Sequence, residues 1–173
     1  MNVWTIGHST RTAEDLGEML SSHKIETLVD VRTYPGSRRY PQFNKAALSE
    51  FLASIGIRYL HEPRLGGRRT PRKDSHNTAW RNAQFRGYAD YMETSEFAAG
   101  IKELLELSRE SQTAVMCAES LWWKCHRSLI ADHLKAAGHT VVHIMDVNKS
   151  EEHPYTSAAR IVDGELSYRG LLS

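Results

Sequence analysis

The sequence predicts an α/β protein: a single three-layer domain whose mostly parallel, five-stranded sheet has helices on both faces. Short runs of apolar, β-branched residues alternate along the chain with segments in which apolar residues recur at helical spacing. Because two parallel strands need a crossover connection, usually a helix, this alternation predicts successive βαβ units. The length of 173 residues suits one domain, over residues 1–173, with a core of its own.

In the N-terminal half, strands are predicted over residues 3–6, 27–31 and 57–60, each of them a short apolar run. Thr12 is expected to cap the first helix, because its hydroxyl can accept a hydrogen bond from a free backbone N–H and acidic residues follow it. The second helix is expected to end at Gly56. Two crossover helices are therefore predicted between the first three strands.

In the C-terminal half, the predicted strands cover residues 113–116 and 140–144, and helices are predicted over residues 85–92 and 95–107. A further helix is expected to follow His126 directly. This order continues the alternation of strands and helices that begins in the N-terminal half, so the five strands are expected to form one sheet.

Two segments have little apolar periodicity. Residues 62–80 are predicted to form a long polar loop, and loops of that length in a compact domain are usually functional or mobile. Residues 150–173 are predicted to form a tail or a β-hairpin, because the dipeptide Asp163-Gly164 between two β-prone runs is a strong hairpin signal.

The formal net charge of +1 gives no argument for binding to nucleic acid or to a membrane surface. No apolar run is long enough for a membrane span, and two cysteines in a chain of this size suggest reduced thiols in the cytoplasm. Basic residues are nevertheless concentrated between residues 32 and 72, where only Glu50 and Glu62 oppose them: Arg32, Arg38, Arg39, Lys45, Arg58, Arg64, Arg68, Arg69 and Arg72. This local excess favours an anionic small molecule or nucleic acid as the partner.

The stretch from residue 113 to residue 134 carries the main candidate site. A predicted strand meets Cys117, a loop follows, and a helix begins at Cys125-His126-Arg127. The first turn of a helix leaves N–H groups free, and an arginine there adds donors that suit phosphate or carboxylate. The same positive field would lower the pKa of a neighbouring thiol. An anion site is therefore predicted at this helix start.

Residues from other strand ends are expected to join that site, because ligands of parallel sheets bind beyond the carboxyl ends of the strands. His8 and Glu119 are the candidates for proton transfer, and Cys117 is the conditional nucleophile. The candidate ligand-binding residues are Ser9, Asp30, Arg32, Ser37, Arg38, Gly66, Gly67, Arg68, Cys125, His126 and Arg127. No metal site is predicted, since no second cysteine pair accompanies the two thiols, and the sequence does not identify a cofactor.

Each candidate also has a structural interpretation. Cys117 can be a buried strand-end cysteine, since cysteine is among the most often buried residue types. Asp30 and Arg32 can form an internal ion pair that holds their loop. The two arginine-rich loops, residues 37–39 and 66–69, can be solvated turns. The aromatic residues that could stack on bases can instead be partly buried loop anchors: Tyr34, Tyr40, Phe43, Trp122 and Trp123.

Several motifs, taken together in order, resemble a bacterial family catalogued as domain of unknown function 488. They are TIGHST (residues 5–10), LVDVRTYPGS (28–37), LGG (65–67), CAES (117–120), CHRSLIADHL (125–134) and VVHI (141–144). The resemblance implies a compact α/β domain and brings no established activity. A weaker similarity is to rhodanese and cysteine-phosphatase domains, which share a strand–Cys–loop–Arg–helix unit. In this chain the loop between Cys117 and Arg127 is longer than the phosphatase signature allows and contains no glycine.

Three functions are consistent with these features. The first is an enzyme-like domain that binds an anionic ligand, such as a nucleotide, a phosphoester or a nucleic-acid end, at the carboxyl ends of the strands. The second is a non-catalytic binder of nucleic acid or nucleotides, which would use the arginine loops and the aromatic residues. The third is rhodanese-like sulfur transfer through Cys117.

Overall fold

A computed structural model describes residues 1–170 of the chain. The α-helices are α1 (Ala13–Ser22), α2 (Lys45–Ser54), α3 (Ala83–Tyr91), α4 (Ser95–Glu110) and α5 (Arg127–Ala136). The strands are β1 (Asn2–Gly7), β2 (Thr27–Asp30), β3 (Arg58–His61), β4 (Thr113–Cys117), β5 (Thr140–Asp146), β6 (Lys149–Glu152), β7 (Arg160–Val162) and β8 (Glu165–Ser167). These bounds agree with the predicted elements to within a few residues.

The predicted α/β class is confirmed, with one correction to the number of strands. The main sheet has six strands in the order β3-β2-β4-β1-β5-β6, and the first five are parallel. The sixth strand, β6, pairs antiparallel with β5 at the sheet edge. The sequence Lys-Ser-Glu-Glu of β6 is entirely exposed, so it has no apolar alternation from which a strand could have been predicted.

Helices cover both faces of the parallel sheet. Successive strand residues enter opposite cores: in β2, Leu28 packs with α1 and α2, whereas Val29 packs with α3, α4 and α5. In β4, Met116 and Val115 divide between the same two cores. Strands that are buried on both faces read as continuous apolar runs, which is why these two were predictable from sequence.

The predicted ends of the helices are confirmed by their cap geometry. The backbone N–H of Asp15 donates to Thr12 Oγ1 at 3.0 Å, so Thr12 caps α1. Gly56, after α2, and Gly138, after α5, have φ angles of +81° and +96°. An L-residue with a side chain rarely adopts these angles, so glycine is required where each helix ends.

The hairpin prediction is confirmed for the strands β7 and β8, which pair antiparallel. Asp163 and Gly164 between them have φ angles of +52° and +80°, as a type I′ turn requires. Apart from one 3-10 turn (Pro63–Leu65), residues 62–80 form an irregular loop, as predicted. The last three residues of the predicted tail lie outside the described residues. Among the helices described in residues 1–170, none has the length and apolar character needed to cross a membrane.

Candidate functional site

Two clefts open at the carboxyl edge of the central strands. The first, which we call the cysteine cleft, has a volume of about 260 Å³. The predicted site residues that line it are Arg32, Gly67, Arg68, Cys117, Glu119, Cys125 and His126. The second, the histidine cleft, has a volume of about 340 Å³. The predicted residues that line it are His8, Ser9, Arg32, Ser37 and Glu119.

The strand register explains why these residues meet. In the sheet, β4 lies between β1 and β2, so that Gly7 is opposite Cys117 and Asp30 is opposite Met116. The three segments that follow these strands therefore leave the sheet side by side. A larger cavity of about 430 Å³, between α3 and the β7–β8 hairpin, shares no lining residue with either cleft.

Arg32 and Asp30 form a buried ion pair. Arg32 Nη2 lies 2.7 Å from Asp30 Oδ2 and also donates to the carbonyl of Phe43 at 2.7 Å, and Arg32 Nε donates to Asp30 Oδ1 at 2.9 Å. The hydroxyl of Tyr59 donates to the same carboxylate. Asp30 is fully buried and lines neither cleft. Arg32 thus contributes a largely compensated charge to both clefts, with Nη1 the least engaged of its nitrogens.

His8 is held as a neutral imidazole. Its Nδ1 lies 2.8 Å from the carbonyl of Ser9, which can only accept, so Nδ1 carries the proton and Nε2 has the free lone pair. Nε2 lies 3.4 Å from Arg32 Nη1, and the ring stacks on Phe43. Burial lowers the pKa of His8 from 6.5 to about 4, with a smaller contribution from Arg32.

This lowered pKa predicts an acid-sensitive fold. Between pH 6.5 and pH 4 the unfolded state binds a proton at His8 that the folded state does not, so stability falls as the pH falls through this range. The lowering of the His8 pKa corresponds to a loss of roughly 3 kcal/mol in the free energy of unfolding once the pH is below about 4. We expect His8→Gln to reduce the pH dependence of the unfolding free energy between pH 7 and 4, measured by urea titration. His76→Gln, at a partly exposed histidine, is the control. Equal pH dependence in the wild type and His8→Gln would contradict the prediction.

Arg127 is directed into the protein and away from both clefts. It is 1% exposed. Its Nη2 donates to the carbonyls of Glu119 and Ser120 at 3.0 and 2.7 Å, and its Nη1 donates to Thr5 Oγ1 at 3.3 Å. Arg127 thus stabilises the loop between β4 and α5, and its guanidinium is not placed to contact a ligand in either cleft.

A buried hydrogen-bond network connects Arg127 to Asp132. Thr5 Oγ1 contacts His143 Nδ1, His143 Nε2 lies 2.8 Å from His153 Nδ1, and His153 Nε2 lies 2.8 Å from Asp132 Oδ1. Because Arg127 can only donate and the carboxylate can only accept, two neutral imidazoles satisfy every contact with their protons on Nε2. Burial lowers the pKa of His143 to about 2, in agreement with a neutral ring. The Arg127–Asp132 network therefore connects a buried cation with a buried anion.

The two thiols of the cysteine cleft have different acidities. Burial raises the pKa of Cys117 well above its usual value, and the neighbouring Cys125 raises it further. Burial also raises the pKa of Cys125, but the Cys117 thiol, the guanidinium of Arg127 and the Arg127 backbone N–H together hold it below its usual range. Cys125, predicted here as a ligand-binding residue, is thus better placed than Cys117 to be a thiolate.

The comparisons with known proteins give a family. The family model described as Domain of unknown function DUF488 matches residues 12–134, more than half of the chain. The chain belongs to the DUF488 family. No curated protein and no solved structure matches it. The DUF488 match includes Arg32 and the whole segment from Cys117 to Arg127, whereas His8 and Ser9 precede it. The similarity to rhodaneses and cysteine phosphatases stays a prediction.

The glycine-rich loop of this DUF488 protein packs closely against the site. A Cβ atom on Gly67 would lie 2.9 Å from His126 Nδ1, and one on Gly66 would lie 2.9 Å from Thr33 Oγ1. Both glycines thus permit close approach of the loop, although only Gly67 lines a cleft. Arg68 follows with a φ angle of +59°, and its guanidinium carbon lies 5.4 Å from the ring centre of Tyr34.

Of the remaining predicted residues, Ser37 is used within its own loop, where its Oγ accepts from the N–H of Tyr40 at 3.0 Å. Arg38 is exposed and lines neither cleft. The sequence analysis missed six lining residues of the cysteine cleft: Thr33, Gln84, Phe85, Tyr88, Ala118 and Lys124. Lys124 was detectable as a cation directly before Cys125. Phe85 and Tyr88 lie on α3, where their spacing reads as an ordinary helix core.

Proposed function

We propose that this DUF488 protein is an enzyme-like domain that binds an anionic ligand, such as a nucleotide, a phosphoester or a nucleic-acid end, in the cysteine cleft. One observation carries the proposal: Arg68 and Lys124 line the cleft, both are exposed, and neither makes an ion pair within residues 1–170. Glu119 is the single acidic residue among the lining residues. The cleft therefore has an excess of uncompensated positive charge.

The size of this charge effect sets the affinity to expect. An ion pair at 4 Å is worth about 1 kcal/mol in bulk water and about 4 kcal/mol near a protein surface. Side-chain ordering and salt screening reduce these values, and exposed pairs usually contribute about 1 kcal/mol or less. Two cations alone, at about 2 kcal/mol in all, thus support dissociation constants of roughly tens of millimolar, and tighter binding requires additional contacts with the walls of the cleft.

The walls favour an organic anion over a bare inorganic ion. Phe85 and Tyr88 contribute aromatic surface to the lining of the cysteine cleft. The cleft of about 260 Å³ also shares Arg32, Ala118 and Glu119 with the adjacent histidine cleft. Small-molecule sites usually have about 300 Å³ or more and are mostly apolar with a few charged groups. The two clefts together meet that description.

Two groups are available for proton transfer at the junction of the clefts. Glu119 is exposed, and its Oε1 accepts from the N–H of Leu121 at 3.3 Å, which leaves Oε2 for a ligand. The Nε2 lone pair of His8 faces Arg32 Nη1 at 3.4 Å, a long contact that a donor on a ligand in the histidine cleft would have to replace. With a pKa of about 4, His8 is a weak base and acts in this proposal as a neutral hydrogen-bond acceptor. The exposed carboxylate of Glu119 is then the group that can accept a proton.

Thermal stability in the presence of anions tests the proposal. A ligand at one hundred times its dissociation constant adds about 2.7 kcal/mol of stability. We expect phosphate, nucleotides or short oligonucleotides to raise the melting temperature, and we expect Arg68→Gln and Lys124→Gln each to weaken that effect by roughly fivefold or less in apparent affinity, or about 1 kcal/mol at most. Lys102→Gln, an exposed lysine on α4, is the matched control and should behave as the wild type. No response to any anion, or equal responses in all variants, would refute the proposal.

A non-catalytic nucleic-acid binder is the second candidate, and the exposed aromatic residues favour it. Tyr34 is 69% exposed below Arg68, and Trp123 is 47% exposed directly before Lys124. Bases of a single strand stack on such side chains while cations contact the phosphates. In the same anion series, this candidate predicts stabilisation by oligonucleotides that falls steeply with salt, because counterions are released on binding.

Rhodanese-like sulfur transfer through Cys117 has the least support of the three functions. The Cys117 thiol is 2% exposed, and its Sγ donates to the carbonyl of Glu119 at 3.4 Å. Burial raises its pKa, so the thiolate that attacks a sulfur donor is disfavoured at this residue. Nucleophilic chemistry in the cleft is better supported at Cys125.

A further inference from the structure

Both cysteines of the chain lie together in the cysteine cleft. Cys117 is the last residue of β4, and Cys125 lies two residues before the start of α5. They are 2% and 7% exposed, so the cleft rather than open solvent gives access to them. Neither anion binding nor proton transfer, as proposed above, uses the two thiols.

His126 contacts the Cys125 thiol and can accept its proton, although burial lowers the pKa of its imidazole and makes it a weak base. Its Nε2 lies 3.0 Å from the carbonyl of Val31, which can only accept, so Nε2 carries the proton and Nδ1 has the lone pair. Nδ1 lies 3.5 Å from Cys125 Sγ. The backbone of Gly67 packs against the ring beside Nδ1, which fixes its orientation. A thiol, a base within contact distance and a third group that orients the base is the usual arrangement of an activated cysteine.

The surroundings also favour negative charge on Cys125. The Arg127 guanidinium is buried, contacts no carboxylate within residues 1–170, and leaves its Nε without a hydrogen-bond partner there. It lowers the pKa of both thiols. The ten-residue helix α5 begins at Arg127, so the backbone N–H of Arg127 and the positive end of the helix dipole add a positive potential at Cys125.

We propose that Cys125 and Cys117 are a reactive dithiol pair, in which Cys125 attacks a hydroperoxide and Cys117 then closes a disulfide with it. In the first step the Cys125 proton passes to His126 Nδ1, the sulfur forms a bond to the distal oxygen of the hydroperoxide, and the O–O bond breaks. The leaving oxygen takes a proton and departs as water or an alcohol, and Cys125 becomes a sulfenic acid. The thiol is oxidised by two electrons and the peroxide is reduced by two.

In the second step the Cys117 sulfur attacks the Cys125 sulfur, an S–S bond forms, and the S–O bond breaks. The hydroxide that leaves combines with the Cys117 proton to give water. Cys117 can take this role because its thiol neighbours that of Cys125. Burial raises the pKa of the Cys117 thiol, so it loses its proton to the departing hydroxide only as the S–S bond forms. A low-pKa, accessible cysteine beside a second, resolving cysteine is the pattern of peroxide-sensitive thiols.

Peroxide treatment of the reduced full-length protein tests this pair. The wild type, treated with hydrogen peroxide and then with iodoacetamide, is expected to give an internal disulfide between Cys117 and Cys125 in peptide mass spectra. Cys117→Ser is expected to give instead a sulfenic acid on Cys125 that dimedone traps, and Cys125→Ser is expected to leave Cys117 unmodified. His126→Gln should slow alkylation of Cys125 at neutral pH by roughly tenfold or more and remove the pH dependence that the base confers.

Two measurements on the wild-type protein can refute the proposal, and neither depends on whether a variant folds. Partial alkylation of the wild type should modify Cys125 before Cys117. If Cys117 reacts first, Cys125 is not the reactive thiol and the proposal is wrong. Peroxide treatment that leaves both thiols free, or that oxidises each without a disulfide, would refute the pair. These results are independent of anion binding, since the reaction uses a neutral oxidant and is read at the sulfur atoms.

Discussion

Asp132→Ala is expected to lower the free energy of unfolding by about 4 kcal/mol, one of the two largest effects expected from a single substitution in this protein. Asp132 is fully buried on α5. Its carboxylate accepts from His153 Nε2, from the N–H and hydroxyl of Thr156, and from the hydroxyl of Tyr168. The alanine variant leaves the buried donors of His153 and Tyr168, and the partly buried donors of Thr156, without this acceptor.

The loss also removes the anion at one end of the Arg127–Asp132 network. Both charged ends are almost completely buried, and each buried hydrogen-bonding group that loses its partner costs about 1–3 kcal/mol. Asp132→Asn keeps the size of the side chain but presents an amide NH₂ to groups that donate, so its loss should be smaller than that of the alanine variant and still substantial.

Urea unfolding monitored by circular dichroism measures both variants. Asp74→Ala is the matched control, because the Asp74 side chain is 89% exposed and exposed substitutions usually change stability by less than about 0.5 kcal/mol. If Asp132→Ala and Asp74→Ala were equally stable, the network would contribute nothing to the fold and the assignment of protons along it would lose its basis.

No sequence pattern indicated this network. Thr5 and His143 are 138 positions apart, and His143 reads as one more residue of a β-strand. The sequence did indicate which edge of the sheet would carry the site, because the carboxyl ends of parallel strands must lie on the same side. What it could not indicate is the direction of each side chain, which depends on packing between distant segments.

Arg127 and the two cysteines show the same limit. The position of Arg127 at a helix start predicted contact with an anion, but the loop carbonyls of Glu119 and Ser120 already occupy its donors. The relative acidity of the thiols depends on their burial and on their mutual contact. Both are tertiary properties, so the sequence alone favoured the strand-end Cys117 over Cys125.

Gly7 directly follows the apolar run predicted as the first strand, and the structure shows why a glycine is needed there. It pairs with Cys117 in the parallel ladder, and the loop after β4 crosses directly over it. A Cβ atom at this position would lie 1.8 Å from the carbonyl oxygen of Glu119, far inside van der Waals contact. That oxygen accepts from Arg127 Nη2, so moving it weakens the hydrogen bond that orders the loop.

Gly7→Ala is therefore expected to lower the free energy of unfolding by about 3 kcal/mol or more. Gly36→Ala is the matched control, because a Cβ on Gly36 meets nothing within 4 Å. At that residue the change should be neutral, or stabilising by about 0.4–1 kcal/mol through the unfolded state. Equal stability of the two variants in urea would mean that the Glu119 carbonyl can move without cost. The hydrogen bonds from Arg127 would then not stabilise the loop after β4, whose residues Ala118 and Glu119 line both clefts.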